Sequence, residues 1–367
     1  MTTDSNLPIY IERGGELVFD PPFYLGDAQL FGFLLKGTDD NLQDLCNRYL
    51  NEPRLKPGQS IEDLEFRYRP DTDLVLLCFD SVEEVKSSSN QAVFQEPAEL
   101  LFWILTRVEK REGNQFVFDR FVWFIPYIFV GDSAPAMATG REVYGIPKDW
   151  GWFDCTFSGK LTLDTLVFTK GKEQEASRKT VLEIQPLDTP WDLRDWLDLA
   201  DEIREEIVEE GTRPVFERIK VLSRLKEDIL NKTIDMVCLK QFRHVTYGDR
   251  ACYQAIIEAP YATSKFETLP SLIFKDYQVS IRDYYSHPMV SDLGLKGENF
   301  KEKDGVGGIK QKALLAFQFT FDFSLEKGEV IWKATEEQTP PQQQRPPLIP
   351  DRSRKKHICP LLDFFRR

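Results

Sequence analysis

Short apolar runs separated by turn-forming clusters fill the first 170 or so positions. LVFDPPFYL (17–25), LFGFLLKG (30–37), LVLLCFD (74–80), ELLFWILTRV (99–108) and FVFDRFVWFIPYIFVG (116–131) are rich in β-branched and aromatic residues. GTDDN, RPDTD, KREGN and GDSAP bound them, so each run is predicted to be a strand. DDNLQDLCNRYL (39–50) breaks the pattern. Its Leu42, Leu45 and Leu50 stand at roughly helical spacing, which predicts a short helix. The strand signal resumes through FDCTFSGKLTLDTLVFTKGK (153–172).

A different pattern follows. Thr189-Pro190 with Asp192 reads as a helix start. Leu193, Trp196, Leu197, Ala200, Ile203 and Ile207 then recur at three- and four-residue steps, and Gly211 is placed to end the helix. The opposite face is acidic, with nine Asp/Glu against two Arg over 191–210. A second helix from Pro214 to about Lys232 completes a predicted hairpin over 188–232. It reads either as a packing or oligomerisation insert or as a partner site. Strands return at 235–245, 251–262, 271–284 and 311–334. The Gly/Lys-rich stretch 294–312 contains GVGG but neither GxGxxG nor GxxxxGK[ST], so it reads as a flexible connection and not a phosphate cradle. From Thr339 the chain is Pro/Gln-rich, then basic, with seven Lys/Arg against two Asp over 345–367. That composition predicts an extended, solvated tail. Its apolar end, ICPLLDFFRR, gives it the character of a segment that docks on a partner or a membrane surface.

Composition narrows the function classes. The 367 residues carry 47 Lys+Arg against 60 Asp+Glu, a net charge of -13. That balance argues against nucleic-acid binding, which needs a basic face for phosphates. Aromatic residues are 13% of the chain, enough for a sizeable core. The six cysteines lack metal-site spacing, and with three histidines they imply no Cys/His metal centre. They read as inert thiols of a reducing compartment. The N-terminus has no signal-peptide pattern. The apolar run Phe121–Val130 is interrupted by Pro126 and is too short for a bilayer, which needs about 20 residues. The expectation is a soluble cytoplasmic protein with no transmembrane segment.

The most informative stretch is GDSAPAMATGREVYGIPKDWGWF (131–153). Within it, Ala134-Pro135-Ala136 is followed by Gly140-Arg141-Glu142, then Val143-Tyr144-Gly145-Ile146 and Pro147-Lys148. Order, spacing and residue types resemble the active-site segment of the acetoacetate decarboxylase family over about fifteen positions. VCLKQFRHVTYGDRACYQAIIEA, within 237–295, resembles that family's C-terminal half, and 22–80 resembles its first half more loosely. The resemblance covers about two-thirds of the chain. It implies an α+β, mainly antiparallel β fold: a cone-shaped β-barrel with flanking helices, here carrying the inserted hairpin. The implied domain spans 10–335, with the insert at 188–232 and the tail at 339–367. The family's tendency to form homo-oligomers comes with it.

The resemblance also makes Lys148 a Schiff-base lysine. A lysine attacks a carbonyl only when neutral, and burial in an apolar pocket disfavours the charged form. A neighbouring cation acts the same way, the activation established for acetoacetate decarboxylase itself. The protonated imine then accepts the electron pair released when a carboxylate leaves as CO2. It serves aldol addition or dehydration equally well. Glu96 or Glu99 matches one pocket carboxylate of the family. Arg141, Glu142, Tyr144, Ile146 and Trp150 are candidate substrate-binding residues. Arg141 and Glu142 also read as structural partners, and Tyr144 as a wall or a proton donor.

Three departures stand out. Asp149 replaces a second lysine; near Lys148 it would favour the ammonium, and pointing away it would leave desolvation to act alone. Cys78 falls at a second carboxylate position. The position of the family's pocket arginine falls near Ala28. His244 and His287 lack a hydrolase context. The leading expectation is therefore a cofactor-free, metal-free lyase decarboxylating an oxo (β-keto) acid through Lys148. An aldolase or dehydratase using the same lysine, and a non-catalytic protein that binds an oxo-acid or apolar ligand or acts as a scaffold, remain the alternatives.

Overall fold

The structure, a computed structural model, describes residues 9–11, 17–88, 92–156, 159–168, 176–187, 234–266, 271–273 and 275–334. The predicted hairpin 188–232 and the tail 339–367 lie outside the described residues. In chain order the elements begin with β1 (Phe23–Lys36), α1 (Asp39–Cys46), β2 (Phe66–Pro70), β3 (Leu74–Ser87), β4 (Val93–Glu112) and β5 (Gln115–Val130). Next come α2 (Ala134–Thr139), β6 (Lys148–Trp150), β7 (Trp152–Cys155), β8 (Leu161–Phe168) and β9 (Ala176–Pro186). The rest are β10 (Ile234–Arg243), β11 (Ala251–Phe266), β12 (Ser271–Leu272), β13 (Tyr277–Arg282), α3 (Met289–Leu293), β14 (Glu298–Lys301), β15 (Gly307–Lys312), β16 (Leu315–Leu325) and β17 (Glu329–Lys333).

Seven strands close on themselves in the order β16-β1-β3-β4-β5-β10-β11, with β11 pairing back to β16. Pairing around this barrel is antiparallel except between β5 and β10. A second, six-stranded sheet runs β14-β15-β13-β9-β8-β7. The fold is thus mainly antiparallel β, with a closed barrel and few helices, as the sequence implies. No described helix is long and apolar enough to cross a membrane.

Strand alternation sorts the apolar residues into two cores. One face of β1, β3, β4, β5 and β16 points into the barrel, where Leu76, Cys78, Leu101, Trp123, Phe319 and Phe321 gather. The other face carries Leu77, Leu100, Phe102, Ile104, Val122 and Phe124, which pack with Leu163, Val181 and Ile281 of the second sheet and with Leu42 and Leu45 of α1. Each fully buried side chain of this size contributes about 1.5–3 kcal/mol.

Several register shifts interrupt the barrel's strands, and two of them are bulges whose cause is plain in the residues. Of the predicted run 17–25 only Phe23–Leu25 is strand; it joins the run 30–37 in one strand, β1, interrupted where Gly26 and Asp27 oppose the single residue Asp322. Asp27 takes a left-handed φ of 53° there. The Asp322 carboxylate holds the bulge, accepting from the Asp27 backbone N–H at 2.9 Å and the Tyr24 hydroxyl at 2.8 Å. On β5, Ile125 and Pro126 oppose Trp103, so the proline, with no N–H to give, falls at a bulge.

Other differences from the expected elements are local. Residues 294–312 are not a flexible connection: β14 and β15 pair as a hairpin, with Phe300 opposite Gly308. The run 153–172 is two strands, β7 and β8, paired antiparallel. The run 311–334 divides among β15, β16 and β17, and β9 forms where the sequence reading places no element. The predicted helix 39–50 is present as α1 followed by a wider turn over Asn47–Asn51.

Candidate active site

The segment 131–153 folds as a cap, a turn and a return strand. Ser133 caps α2, its Oγ accepting from the Ala136 N–H at 3.4 Å. The chain then widens through Gly140–Tyr144 and stops at Gly145, whose φ is 76°. A side chain at Gly145 is excluded twice: the backbone is left-handed, and a Cβ would meet Lys240 Cα at 2.3 Å. This turn delivers Ile146-Pro147 and sets β6 parallel to the end of β5, with Lys148 beside Ile128.

Lys148 is buried, only 6% exposed, and lines a cavity of about 100 Å³ inside the barrel. Its Nζ donates a hydrogen bond to Glu99 Oε1, and the two form an enclosed ion pair. Glu99 lies on β4 between two neighbours, opposite Asp80 of β3 and Val130 of β5. Asp80 lines the same cavity. The barrel therefore brings one lysine and two carboxylates to one otherwise largely apolar space. Burial, and next the Asp80 carboxylate, push the nearby Cys78 thiol well above its ordinary range.

The predicted residues divide clearly by placement. Lys148, Glu99, Tyr144 and Ile146 line the cavity. Glu96 falls on β4 opposite Val82, and its side chain is not among those described. Tyr144 is 1% exposed, and its hydroxyl donates to the Glu326 carbonyl at 2.9 Å. Burial drives that phenol far above its ordinary range, with Glu326 adding to the effect. The proton is committed to the backbone, so Tyr144 is a wall.

Arg141, Glu142 and Trp150 are not among the described cavity-lining residues. Arg141 Nη1 donates to the Lys148 carbonyl at 2.7 Å and lies 3.7 Å from Asp149, which makes it a brace for β6. The charge of Glu142 acts on Lys240, opposing the downward push of burial on that amine. Trp150 sits where the chain leaves the barrel for the second sheet; its carbonyl accepts from Thr165 Oγ1 at 2.6 Å.

Asp149 follows Lys148 on β6 and faces away from the cavity, toward Arg141 and His287. It does not reach Lys148, because neighbouring residues on a strand point to opposite faces. His287 is buried against Phe129, with Ser286 Oγ 3.0 Å from its Nδ1 and Asp149 3.5 Å from its Nε2. The sequence reading set aside this Ser and Asp company.

Asp80 is the residue the sequence reading missed. It placed Cys78 at the second carboxylate position and stopped there. LVLLCFD alternates, so Cys78 and Asp80 share a face, and the strand supplies its carboxylate two residues later.

No family model matches this sequence, and no curated protein matches it. Among solved structures the fold is similar to acetoacetate decarboxylase from Legionella pneumophila, with 12% identity and a TM-score of 0.44 over 90% of this chain and 94% of that one. It is similar to an acetoacetate decarboxylase-like enzyme from Sphingomonas wittichii, with 10% identity and a TM-score of 0.45 over 86% and 94%. The enduracididine biosynthesis enzyme MppR is similar at 12% identity and a TM-score of 0.42, over 87% and 90%.

Proposed function

We propose that the protein is a cofactor-free lyase that decarboxylates a β-keto acid through a Schiff base on Lys148. The observation that carries this reading is the placement of the Lys148 amine in a largely apolar cavity, hydrogen-bonded to the Glu99 carboxylate. The resemblance of GREVYGIPK to the acetoacetate decarboxylase active-site segment supports it.

The chemistry follows from those groups. Glu99 takes the proton from the Lys148 ammonium, which frees the lone pair. The amine adds to the ketone carbon, and loss of water leaves a protonated imine. The bond between the α-carbon and the carboxylate then breaks. Its electron pair moves into the iminium, CO2 departs and an enamine remains. Glu99 or Asp80 returns a proton to the α-carbon, and water hydrolyses the imine to release the ketone. One proton is consumed per CO2 released. The apolar walls strengthen each electrostatic contact.

The aldol or dehydration branch uses the same iminium and enamine. A second reading, non-catalytic binding of a small oxo-acid or apolar ligand, is favoured by the Lys148–Glu99 ion pair, which neutralises the lysine at rest. Release of CO2 from acetoacetate above the spontaneous rate, lost in Lys148→Ala, separates these readings. Carbon–carbon coupling of pyruvate with an aldehyde, without CO2 release, would assign the aldol branch. Neither activity in folded protein, with a longer aromatic oxo acid also inert, would favour ligand binding.

A further inference from the structure

The cavity has two unlike kinds of lining. Lys148, Glu99 and Asp80 supply its charge, and among the described lining residues Lys148 is the one cation. The same cavity is lined by six aromatic rings in a chain of contacts. Trp123 meets Trp103 at 5.9 Å, and Trp103 meets Tyr261 at 6.1 Å. Tyr261 meets Phe323 at 5.3 Å, Phe323 meets Phe321 at 5.0 Å, and Phe321 meets Phe319 at 4.8 Å. The last three are alternate residues of FQFTFDF on β16, so the strand's pleat sets them on one face. Rings that served only to fill the core would close over the space. These line about 100 Å³ of it, on the scale of engineered apolar cavities that hold a small aromatic molecule.

Resting on the Lys148 reading, we infer that the substrate's body beyond the ketone is uncharged and carries a ring or flat unsaturated group. Such a body stacks on the aromatic arc while the ketone meets Lys148. A second carboxylate, one that does not leave as CO2, would face Glu99 and Asp80 with only Lys148 to pair it, and like charges in an apolar space repel strongly. A bare methyl group would leave the arc unused.

The test uses the full chain with benzylacetone, acetone or acetonedicarboxylate, each trapped with borohydride. The amine and ketone form an imine with loss of water, and borohydride supplies the hydride that makes it a stable secondary amine. Intact mass against ligand concentration gives the half-labelling point. Benzylacetone is expected to reach it at about one-tenth the concentration of acetone or less, with acetonedicarboxylate the weakest. Phe321→Leu, checked for folding by circular dichroism, is expected to narrow the benzylacetone-to-acetone ratio. Equal labelling by benzylacetone and acetone in the native chain, or stronger labelling by acetonedicarboxylate, overturns the substrate class and leaves the Lys148 reading standing. Absence of any adduct overturns the Lys148 reading instead. Quenching of Trp103 and Trp123 fluorescence by benzylacetone then decides the binding class alone: quenching supports it, and unchanged fluorescence overturns it.

Discussion

Gly140 is the floor on which the Lys148 side chain lies: a Cβ added at residue 140 would come 2.7 Å from Lys148 Cδ and 2.8 Å from its Cε. The backbone there is ordinary right-handed helix, with φ of -59°, so glycine is required by contact and not by conformation. Eight residues of chain fold back so that the first glycine of the motif meets the stem of its lysine. Gly140→Ala is therefore expected to displace the lysine while the turn survives. Overpacking of this kind costs about 1–3 kcal/mol. Thermal unfolding is expected to show that modest loss, and borohydride labelling by any ketone is expected to fall sharply. Unchanged labelling would mean that the lysine stem is not held where the structure places it.

Glu99 and Lys148 are both enclosed, so the pair should respond strongly to loss of one charge. Breaking an enclosed pair by removing one partner costs about 3–5 kcal/mol. Glu99→Gln keeps the shape and one acceptor oxygen, so the expected destabilisation at neutral pH is smaller, about 2 kcal/mol by denaturant unfolding. The sign of the pH effect is fixed by the charge removed. Without the carboxylate the ammonium loses its stabilising partner, and ketone labelling is expected to extend to lower pH. A shift toward higher pH would contradict the assignment of Glu99 as the lysine's counter-charge.

Asp149 provides a control beside the lysine. It faces Arg141 and His287 across half-exposed contacts. Exposed pairs of this kind contribute roughly 0–1 kcal/mol. Asp149→Asn is expected to leave the pH profile of ketone labelling in place and to change stability by less than about 1 kcal/mol. A displaced profile would mean that Asp149 acts on Lys148 directly.

The thiols give a prediction independent of the site's chemistry. Burial pushes Cys46 and Cys238 up to about 12 from an ordinary 9.0, while Cys155 and Cys252 are exposed. In the folded chain the two buried thiols keep their protons, and in the unfolded chain they lose them near 9. Between about pH 9 and 12 the unfolded state therefore binds fewer protons, and these groups lower stability as pH rises. Peptide mapping after alkylation at pH 8 is expected to find Cys155 and Cys252 modified and Cys46 and Cys238 protected. Rapid modification of the buried pair without unfolding would contradict the core packing.

Much of the fold was legible because the strands carry their own signal. LVLLCFD, ELLFWILTRV and FVFDRFVWFIPYIFVG lie within β3, β4 and β5, apart from a terminal residue. The bulge at Gly26-Asp27 was not legible as such, since the apolar pattern breaks between Leu25 and Leu30 and the residue that holds the bulge, Asp322, lies nearly three hundred residues later. The hairpin of β14 and β15 was hidden by its glycines and lysines, which pair through backbone and need no apolar pattern. In the site, PK after GRE marked Lys148, and FQEPAELLFW narrowed the carboxylate to two residues. Asp80 escaped because the family resemblance points to Cys78, and strand alternation, which sets Asp80 on the same face, was not applied. The opposite facing of Lys148 and Asp149 follows from β6 being a strand, which three residues cannot announce by pattern.

The most direct test of the account is borohydride trapping of the full chain with acetoacetate, pyruvate and a longer aromatic oxo acid, read by intact mass and peptide mapping beside Lys148→Ala. The account predicts a single stable adduct located on Lys148 and absent from the variant. No adduct across that panel in folded protein, or an adduct that persists in Lys148→Ala, would contradict it.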